Sequence, residues 1–398
     1  MIAPRLVLCL GLSQLVCWGT TYYLVAIFGE AMAAGLGMGL SWIHGGFTVA
    51  LVAMGLVSAR VGRIIDRHGG RGVMVAGSLL GAAGCLILAG CDGMTGYYAA
   101  WVVLGVAMRC CLYDAAFAAL AWVGGASARR PISHITLLGG LASSVFWPIG
   151  QTLIERLGWR GALVVYAGFL LATVPLHWRI PGGERRVEAS SPLPAAAPAE
   201  IRGDARRAGV LYAVIVASTG ALASALSAHM IGIIAGMGMG LGVAVVLSSL
   251  RGVGQSAARL AEVLFGKRLS PAGLAVLSTA LLPVSAGFGF AAGVSVAAGA
   301  AFSVLFGAGN GLVTIVRGTL PLVLFDPRTY GTTVGRLIAP GFYVSAAAPL
   351  LFALVMERFG AAAALPLSAA LGGLALAAAV LLAWDGARPR FWFGSGRG

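Results

Sequence analysis

The sequence predicts an all-α polytopic membrane protein whose twelve transmembrane helices form two six-helix bundles related by pseudo-symmetry. Three observations carry the prediction. Of the 398 residues, 59% are hydrophobic and only 10% are charged, against about 25% charged in soluble domains. The apolar residues gather into twelve tracts, each close to the roughly 20 residues that one crossing needs. The basic residues between the tracts lie almost wholly on alternate connections, as the positive-inside rule requires.

The tracts run near 6–28, 40–59, 73–91, 97–122, 134–154 and 160–178, and again near 210–235, 240–264, 271–291, 294–324, 332–356 and 361–384. The first follows a lone Arg5 and stays largely apolar to Phe28. That is longer than the ~7–15-residue core of a secretory signal, so it reads as a crossing. The 60 glycines suit helices that pack closely in lipid. Alternating ten-residue segments are absent, which argues against a β-barrel. Between the two sets, residues 179–208 are charged, rich in Pro and Ala and without an apolar period, and read as a linker. The expected organisation is an N-terminal bundle at 1–178, a cytoplasmic linker at 179–208, a C-terminal bundle at 209–384 and a basic tail at 385–398.

With the N-terminus inside, the inner segments hold Arg5, Arg60, Arg63, Arg67, Arg71, Arg129, Arg130, Lys267, Arg268, Arg328 and the arginines of the linker and tail. The outer segments hold only Arg156, Arg160 and Arg358. This places the chain in the cell inner membrane with both termini cytoplasmic. The net charge of +14 does not point to nucleic acid, because the basic residues are scattered between apolar tracts and form no stripe. Cys9, Cys17, Cys85, Cys91, Cys110 and Cys111 show no metal-ligand spacing and read as small packing residues. No phosphate-binding loop, HExxH or GxSxG is present. Neither an enzyme nor a cofactor is expected, and ATP is not the direct energy source.

The halves echo one another. Arg63-x-x-Asp66-x-x-x-Gly70-Arg71 at the end of the second tract is matched, 196 residues on, by Arg259-x-x-Glu262-x-x-x-Gly266-Lys267 at the end of the eighth. Such a repeat marks transporters built of two related bundles around a midplane site.

Residues Gly62-Arg-Ile-Ile-Asp66-Arg67-His-Gly69-Gly70-Arg71 resemble the loop 2–3 signature of the major facilitator superfamily, with the last basic residue displaced by one position. The resemblance implies that Gly62, Asp66, Arg67, Gly69 and Arg71, and Arg259 and Glu262 of the weaker copy, latch the two bundles in one conformation and do not bind cargo. An aspartate at a helix end is suited to this, because it pairs with arginines or with a neighbouring helix N-terminus. Tyr113 to Pro148, with Trp122, Arg129-Arg130 and Gly139-Gly140, is loosely similar to the monocarboxylate-porter branch. Asn310-Gly311 to Arg317-Gly318, with Tyr330-Gly331 and Arg336, is similar to bacterial members.

A charge at mid-membrane costs about 2.5–3.5 kcal/mol on insertion scales, so each calls for a reason. Arg259, Arg317 and Arg336 lie near the inner ends of their tracts, where snorkelling or an ion pair accounts for them as well as transport does. Arg251 sits near the middle of the eighth tract with Gln255 one turn on. Its planar fork suits a carboxylate or phosphate, and an ion pair inside the bundle is the alternative. Arg109 and Asp114 share the fourth tract, about 140° apart on a continuous helix, so each faces a different neighbour or a cavity. Asp114 is a candidate proton carrier or the partner of an arginine elsewhere. By the resemblance, the first and seventh tracts line the pathway, which brings in Gln14 and Tyr22; Asn310 in the tenth joins them.

Five intramembrane arginines against two acids suggest a secondary transporter moving a small organic anion, such as a carboxylate, coupled to protons by alternating access. The alternative is a drug or metabolite exporter of the same fold. The expected partners are an anionic small molecule and the lipid bilayer, with no nucleic acid, and the expected state is a monomer.

Overall fold

A computed structural model describes residues 2–183, 205–266 and 269–385. Most of the linker, Lys267, Arg268 and nearly all of the tail lie outside the described residues. The described residues are helical almost throughout: α1 (Pro4–Cys17), a π turn (Trp18–Tyr22), α2 (Leu24–Leu36), α3 (Leu40–His68), α4 (Gly70–Ala89), α5 (Met94–Cys111), α6 (Tyr113–Gly124), α7 (Arg129–Gly140) and α8 (Ala142–Trp178). Then follow α9 (Ala205–Gly236), α10 (Leu241–Phe265), α11 (Pro271–Gly289), α12 (Val296–Thr319), the short α13 (Pro321–Leu324), α14 (Tyr330–Phe359) and α15 (Ala364–Asp385).

Ten helical tracts among the described residues are long and apolar enough to cross a membrane, and one of them, Met94–Trp178, is 85 residues long. At 1.5 Å per residue such a tract would extend well over 100 Å, several bilayers deep. It is folded back twice. Gly125 (φ 52) and Gly158 (φ 67) take the left-handed side of backbone space that side chains disfavour, and each ends a crossing. The tract is therefore three crossings, and with the other nine the described residues make twelve. Proline interrupts α8, α11 and α14 without ending them, as membrane helices tolerate when neighbours re-satisfy the freed carbonyls. Many large apolar side chains, Leu56, Val246, Phe265, Leu350 and Leu354 among them, are exposed along the helices. Trp42 and Trp178 are exposed at helix ends, where indole rings favour the membrane–water boundary.

By backbone contacts the chain divides into Met1–Arg186 with Asp326–Ala339, and Val187–Phe325 with Pro340–Gly398. In the first unit α3 packs on α5, α4 on α5, and α4 on the second arm of α8; in the second, α10 packs on α12, α11 on α12, and α11 on α15. The same pairing thus recurs. Its register is set by the helix starts: α3 and α10 begin at Leu40 and Leu241, 201 residues apart, each after a glycine. Packing repeats the offset to within one residue. A Cβ on Gly105 would overlap the backbone of Ala50, and one on Gly307 would overlap that of Arg251. The structural repeat therefore does not run at the 196-residue spacing of the charge echo. It sets Ser58, not Arg63, in the place that Arg259 holds in the second unit.

All six cysteines are free and buried. Cys91, in the connection between α4 and α5, has its thiol pushed above the ordinary value by burial, against the pull of Arg160.

Candidate functional site

In the first unit two crossings are broken, and the breaks touch. The first crossing leaves α spacing at Trp18–Tyr22, where the Tyr23 N–H donates to the Trp18 carbonyl five residues back, 3.1 Å away. The threonines lie in it: Thr20 Oγ1 donates to the Val16 carbonyl (2.8 Å) and Thr21 Oγ1 to the Cys17 carbonyl (2.6 Å), back-bonds of the kind that bend a helix. Gly19 lets the turn lie against the Phe146 ring, which a Cβ there would overlap. Single π turns of this kind recur at functional sites.

The fourth crossing breaks at Leu112 (φ −81, ψ −173), between α5 and α6. The Ala115 N–H turns to the Leu112 carbonyl (3.0 Å), which leaves the Cys111 carbonyl without its helical donor. Gln14 Nε2 from α1 takes that role at 2.8 Å, and Gln14 is fully buried. One turn along, the Trp18 ring lies 4.8 Å from Tyr113 and 4.7 Å from Tyr22. Tyr22 meets Phe47 edge-on at 4.9 Å, and Tyr23 lies 6.2 Å from Trp18. Trp18, Tyr22, Tyr23 and Phe47 are half-buried; behind them Tyr97, Trp101, Tyr113 and Phe117 are buried. Asp114 stands in the first turn of α6, half-buried. Because Leu112 separates them, Arg109 and Asp114 are not on one continuous helix, and the 140° expected between them does not apply.

Arg109 is 1% exposed, and its Nε donates to Ser58 Oγ (2.9 Å) and its Nη2 to the Ser58 carbonyl (3.1 Å). Ser58 opens a row on α3. A Cβ on Gly335 would meet the Ser58 carbonyl, one on Gly62 would overlap the Gly331 carbonyl, and Asp66 caps the start of α14. The Gly331 N–H donates to Asp66 Oδ1 (2.8 Å) and the Thr332 N–H to Oδ2 (2.6 Å). A carboxylate on two amides at a helix N-terminus is a charge-assisted cap. Of the remaining motif residues, Arg67 is exposed and Gly69 (φ 79) turns α3 into α4. Arg71 Nε donates to the Ile180 carbonyl at 2.7 Å.

In the second unit Arg251, Gln255 and Arg259 fall on one stripe of α10 at four-residue spacing. Arg251 is half-buried ten residues into the helix, and its Nη1 donates to Ser227 Oγ of α9 at 2.8 Å. Gln255 lies against Gly311 of α12. Arg259 is 3% exposed, with Nε toward the Gly311 carbonyl (3.4 Å) and Nη2 toward Thr314 Oγ1 (3.2 Å). Asn310 is half-buried on α12 and its carbonyl accepts from Thr314 Oγ1 at 3.0 Å. Glu262 is half-buried near the end of α10, folded over Gly266. Among the described residues no group of histidine, cysteine and carboxylate side chains could hold a metal ion.

The repeat relates the two buried arginines. Arg109 of α5 lies on Ser58 of α3; Arg259 of α10 lies on Gly311 of α12. In register, Ser58 corresponds to Arg259 and Arg109 to Gly311. Each unit thus fills the same groove with one guanidinium, supplied from opposite sides.

The sequence singled out Gln14, Tyr22, Arg109, Asp114, Arg251, Gln255 and Asn310; the structure sets Gln14 and Tyr22 at the paired breaks, Asp114 just after the break at Leu112, Arg109 on Ser58 of α3, and the last three on α10 and α12. The sequence did not single out Trp18, Phe47, Ser58 or Ser227. The run Gly19-Thr20-Thr21 inside an apolar tract was the available signal for the π turn.

Comparison with known proteins bears on what this arrangement is. The mouse and rat monocarboxylate transporter 3 are each 28% identical over 153 residues, 37% of this chain and 30% of theirs. The chain thus matches under a third of the length of these relatives. Among solved structures, the human organic anion transporter MFSD10 is similar at a TM-score of 0.69 and 18% identity, over 96% of this chain and 100% of that one. The proton:xylose symporter XylE is similar at 0.73 and 12%, over 96% and 95%. The transporter FucP in its outward conformation is similar at 0.69 and 15%, over 96% and 99%. At these identities the likeness is one of fold. Residues 10–337 match the family model of the Major Facilitator Superfamily, so the chain belongs to that family of membrane transporters.

Proposed function

We propose that the protein is a secondary active transporter that carries a small organic anion, with a carboxylate as the favoured headgroup, coupled to protons by alternating access. The observation that carries this reading is Arg251: a guanidinium ten residues into α10, half-buried beside Gln255, with its Nη1 donating to Ser227 Oγ. A charge at that depth is costly to insert, and a planar fork is the side chain best matched to a carboxylate. Among the similar proteins, an organic anion transporter and monocarboxylate transporters support an anionic cargo, and a proton symporter, whose own cargo is xylose, supports the coupling. Asp114, at the break of the fourth crossing, is the candidate proton carrier. Gln14, Tyr22 and Arg109 around that break, and Gln255 and Asn310 in the second unit, are the further cargo candidates.

The same reading keeps Gly62, Asp66, Arg67, Gly69 and Arg71 as the conformational latch, with the Asp66 cap on α14 as its working contact. Arg259 and Glu262 were grouped with them by the charge echo; the burial of Arg259 against α12 favours a bracing role instead. The proposed arrangement is a monomer in the cell inner membrane with both termini cytoplasmic, with bundles at 1–178 and 209–384 joined by 179–208.

The test is uptake by proteoliposomes under an imposed pH gradient, across mono- and dicarboxylates, with Arg251→Lys beside the parent. Lysine keeps the charge and loses the fork, so carboxylate uptake is expected to fall at least tenfold. Uptake that is unchanged by Arg251→Lys, or indifferent to the pH gradient, overturns the anion site or the coupling respectively.

A further inference from the structure

We propose that the first unit carries a ring-binding subsite for a hydroxylated aromatic cargo, so that the anion transported is an aromatic hydroxycarboxylate and not a short aliphatic acid. The proposal rests on the transport reading above and names the other end of the same cargo. Two independent features meet at the paired breaks. The first is a surface of four half-buried rings, Trp18, Tyr22, Tyr23 and Phe47, in mutual contact at 4.7 to 6.2 Å. They are backed by the buried rings of Trp101 and Tyr113. Rings fixed by other rings lose little freedom when a further ring adds to them, and offset or edge contacts are the favoured geometries.

The second feature is a donor and an acceptor without partners. Gln14 spends its amide N–H on the Cys111 carbonyl, and its Oε1 is buried with no hydrogen-bond partner among the described residues. The Trp18 Nε1–H is buried and equally unpartnered. The two residues are one helical turn apart, on neighbouring positions of α1 and the π turn, and both abut Cys111–Tyr113. A buried polar group left unpaired is costly. A hydroxyl is a small group that can both donate to Gln14 Oε1 and accept from Trp18 Nε1–H. The π turn supplies the means of access. Returning it to α spacing turns the chain on either side by about 100° relative to the other, which swings Trp18 against Tyr23.

The experiment measures ligand-induced thermal stabilisation of the purified full chain, which reads binding without depending on direction or coupling of transport. The probes are 4-hydroxybenzoate, benzoate, lactate and 4-hydroxybenzyl alcohol. We expect 4-hydroxybenzoate to bind about tenfold more tightly than lactate, on the scale of one or two ring contacts. Benzoate should bind about fivefold more weakly than 4-hydroxybenzoate, on the scale of one or two hydrogen bonds. Trp18→Phe keeps a ring and removes the N–H; it should erase the difference between 4-hydroxybenzoate and benzoate while both still exceed lactate. Tyr22→Leu should narrow the gap between benzoate and lactate. If 4-hydroxybenzyl alcohol binds as tightly as the acid and depends on Trp18 in the same way, the subsite stands and the carboxylate reading falls. If lactate binds as tightly as 4-hydroxybenzoate, if Trp18→Phe leaves the ratio of the hydroxylated to the plain ring unchanged, or if none of the four probes binds, the subsite is overturned.

Discussion

Replacing Asp66 by asparagine tests the cap on α14 with little change of shape. In the parent, each carboxylate oxygen accepts one amide: Oδ1 from Gly331 at 2.8 Å and Oδ2 from Thr332 at 2.6 Å. Asparagine keeps one oxygen and presents an NH2 in place of the other, so one bond is lost and the second becomes neutral. A hydrogen bond to a charged group contributes about 1.5–3 kcal/mol and a neutral one about 0.5–1.5 kcal/mol. The charge at a helix N-terminus adds about 0.3–1 kcal/mol. At their lower ends these ranges sum to a loss of about 2.8 kcal/mol; Asp66 is half-buried, so water screens part of it and the net loss is about 2 kcal/mol. At about 1.4 kcal/mol per decade this corresponds to a roughly thirtyfold rise in the population in which the start of α14 is released. The assay is amide hydrogen exchange of the peptide spanning Gly331 and Thr332 in the detergent-solubilised protein. Exchange there is expected to accelerate about thirtyfold, while peptides from α11, which neither amide touches, keep their rates. An acceleration below about threefold would refute the reasoning, because it would mean that the carboxylate contributes no more than a neutral acceptor.

Adding a methyl group by Gly62→Ala drives a Cβ into the Gly331 carbonyl, so the same peptide should lose protection even with Asp66 intact. Moving the arginine across its groove, Arg109→Gly together with Ser58→Arg, copies into the first unit the arrangement of Arg259 on Gly311. The double variant should recover most of the melting temperature lost by Arg109→Gly alone, and no recovery would show that the two grooves differ. Thr20→Val with Thr21→Val removes both hydroxyls that donate to the Val16 and Cys17 carbonyls; a loss of about 1–3 kcal/mol in unfolding free energy is expected from the two bonds together. In a variant that keeps only Cys91, alkylation should still be climbing as pH passes 9, since burial raises that thiol above its ordinary value and the thiolate is the reacting form.

Much of the fold could be read directly. Every expected tract holds a helix, because long uncharged runs leave the backbone no partner in lipid but itself. The helix starts at Leu40 and Leu241 fall on the expected boundaries, both just after a glycine. What escaped is instructive in physical terms. The break at Leu112 has neither proline nor glycine beside it. It is stabilised by Gln14, 97 residues away, and no local pattern reports a bond of that span. The echo of Arg63 in Arg259 misled for the opposite reason. Both match in residue type, but Arg63 is exposed and Arg259 is buried, and burial depends on the opposing helix. The candidate site was legible only in its polar residues: Gln14, Arg109 and Arg251 stand out against an apolar background, whereas Trp18 and Phe47 do not.

The opposed seating of Arg109 and Arg259 limits how the halves can be recombined. A hybrid in which the eighth crossing is replaced by a copy of the second would set a serine facing Gly311 and leave the groove without a cation. The converse hybrid, with a copy of the eighth in the place of the second, would crowd Arg259's counterpart against Arg109 and put two positive charges where one fits. Crossings are therefore exchangeable only in matched pairs, second with fourth or eighth with tenth, and a shuffling library that respects this pairing should yield folded chains where single-crossing swaps do not.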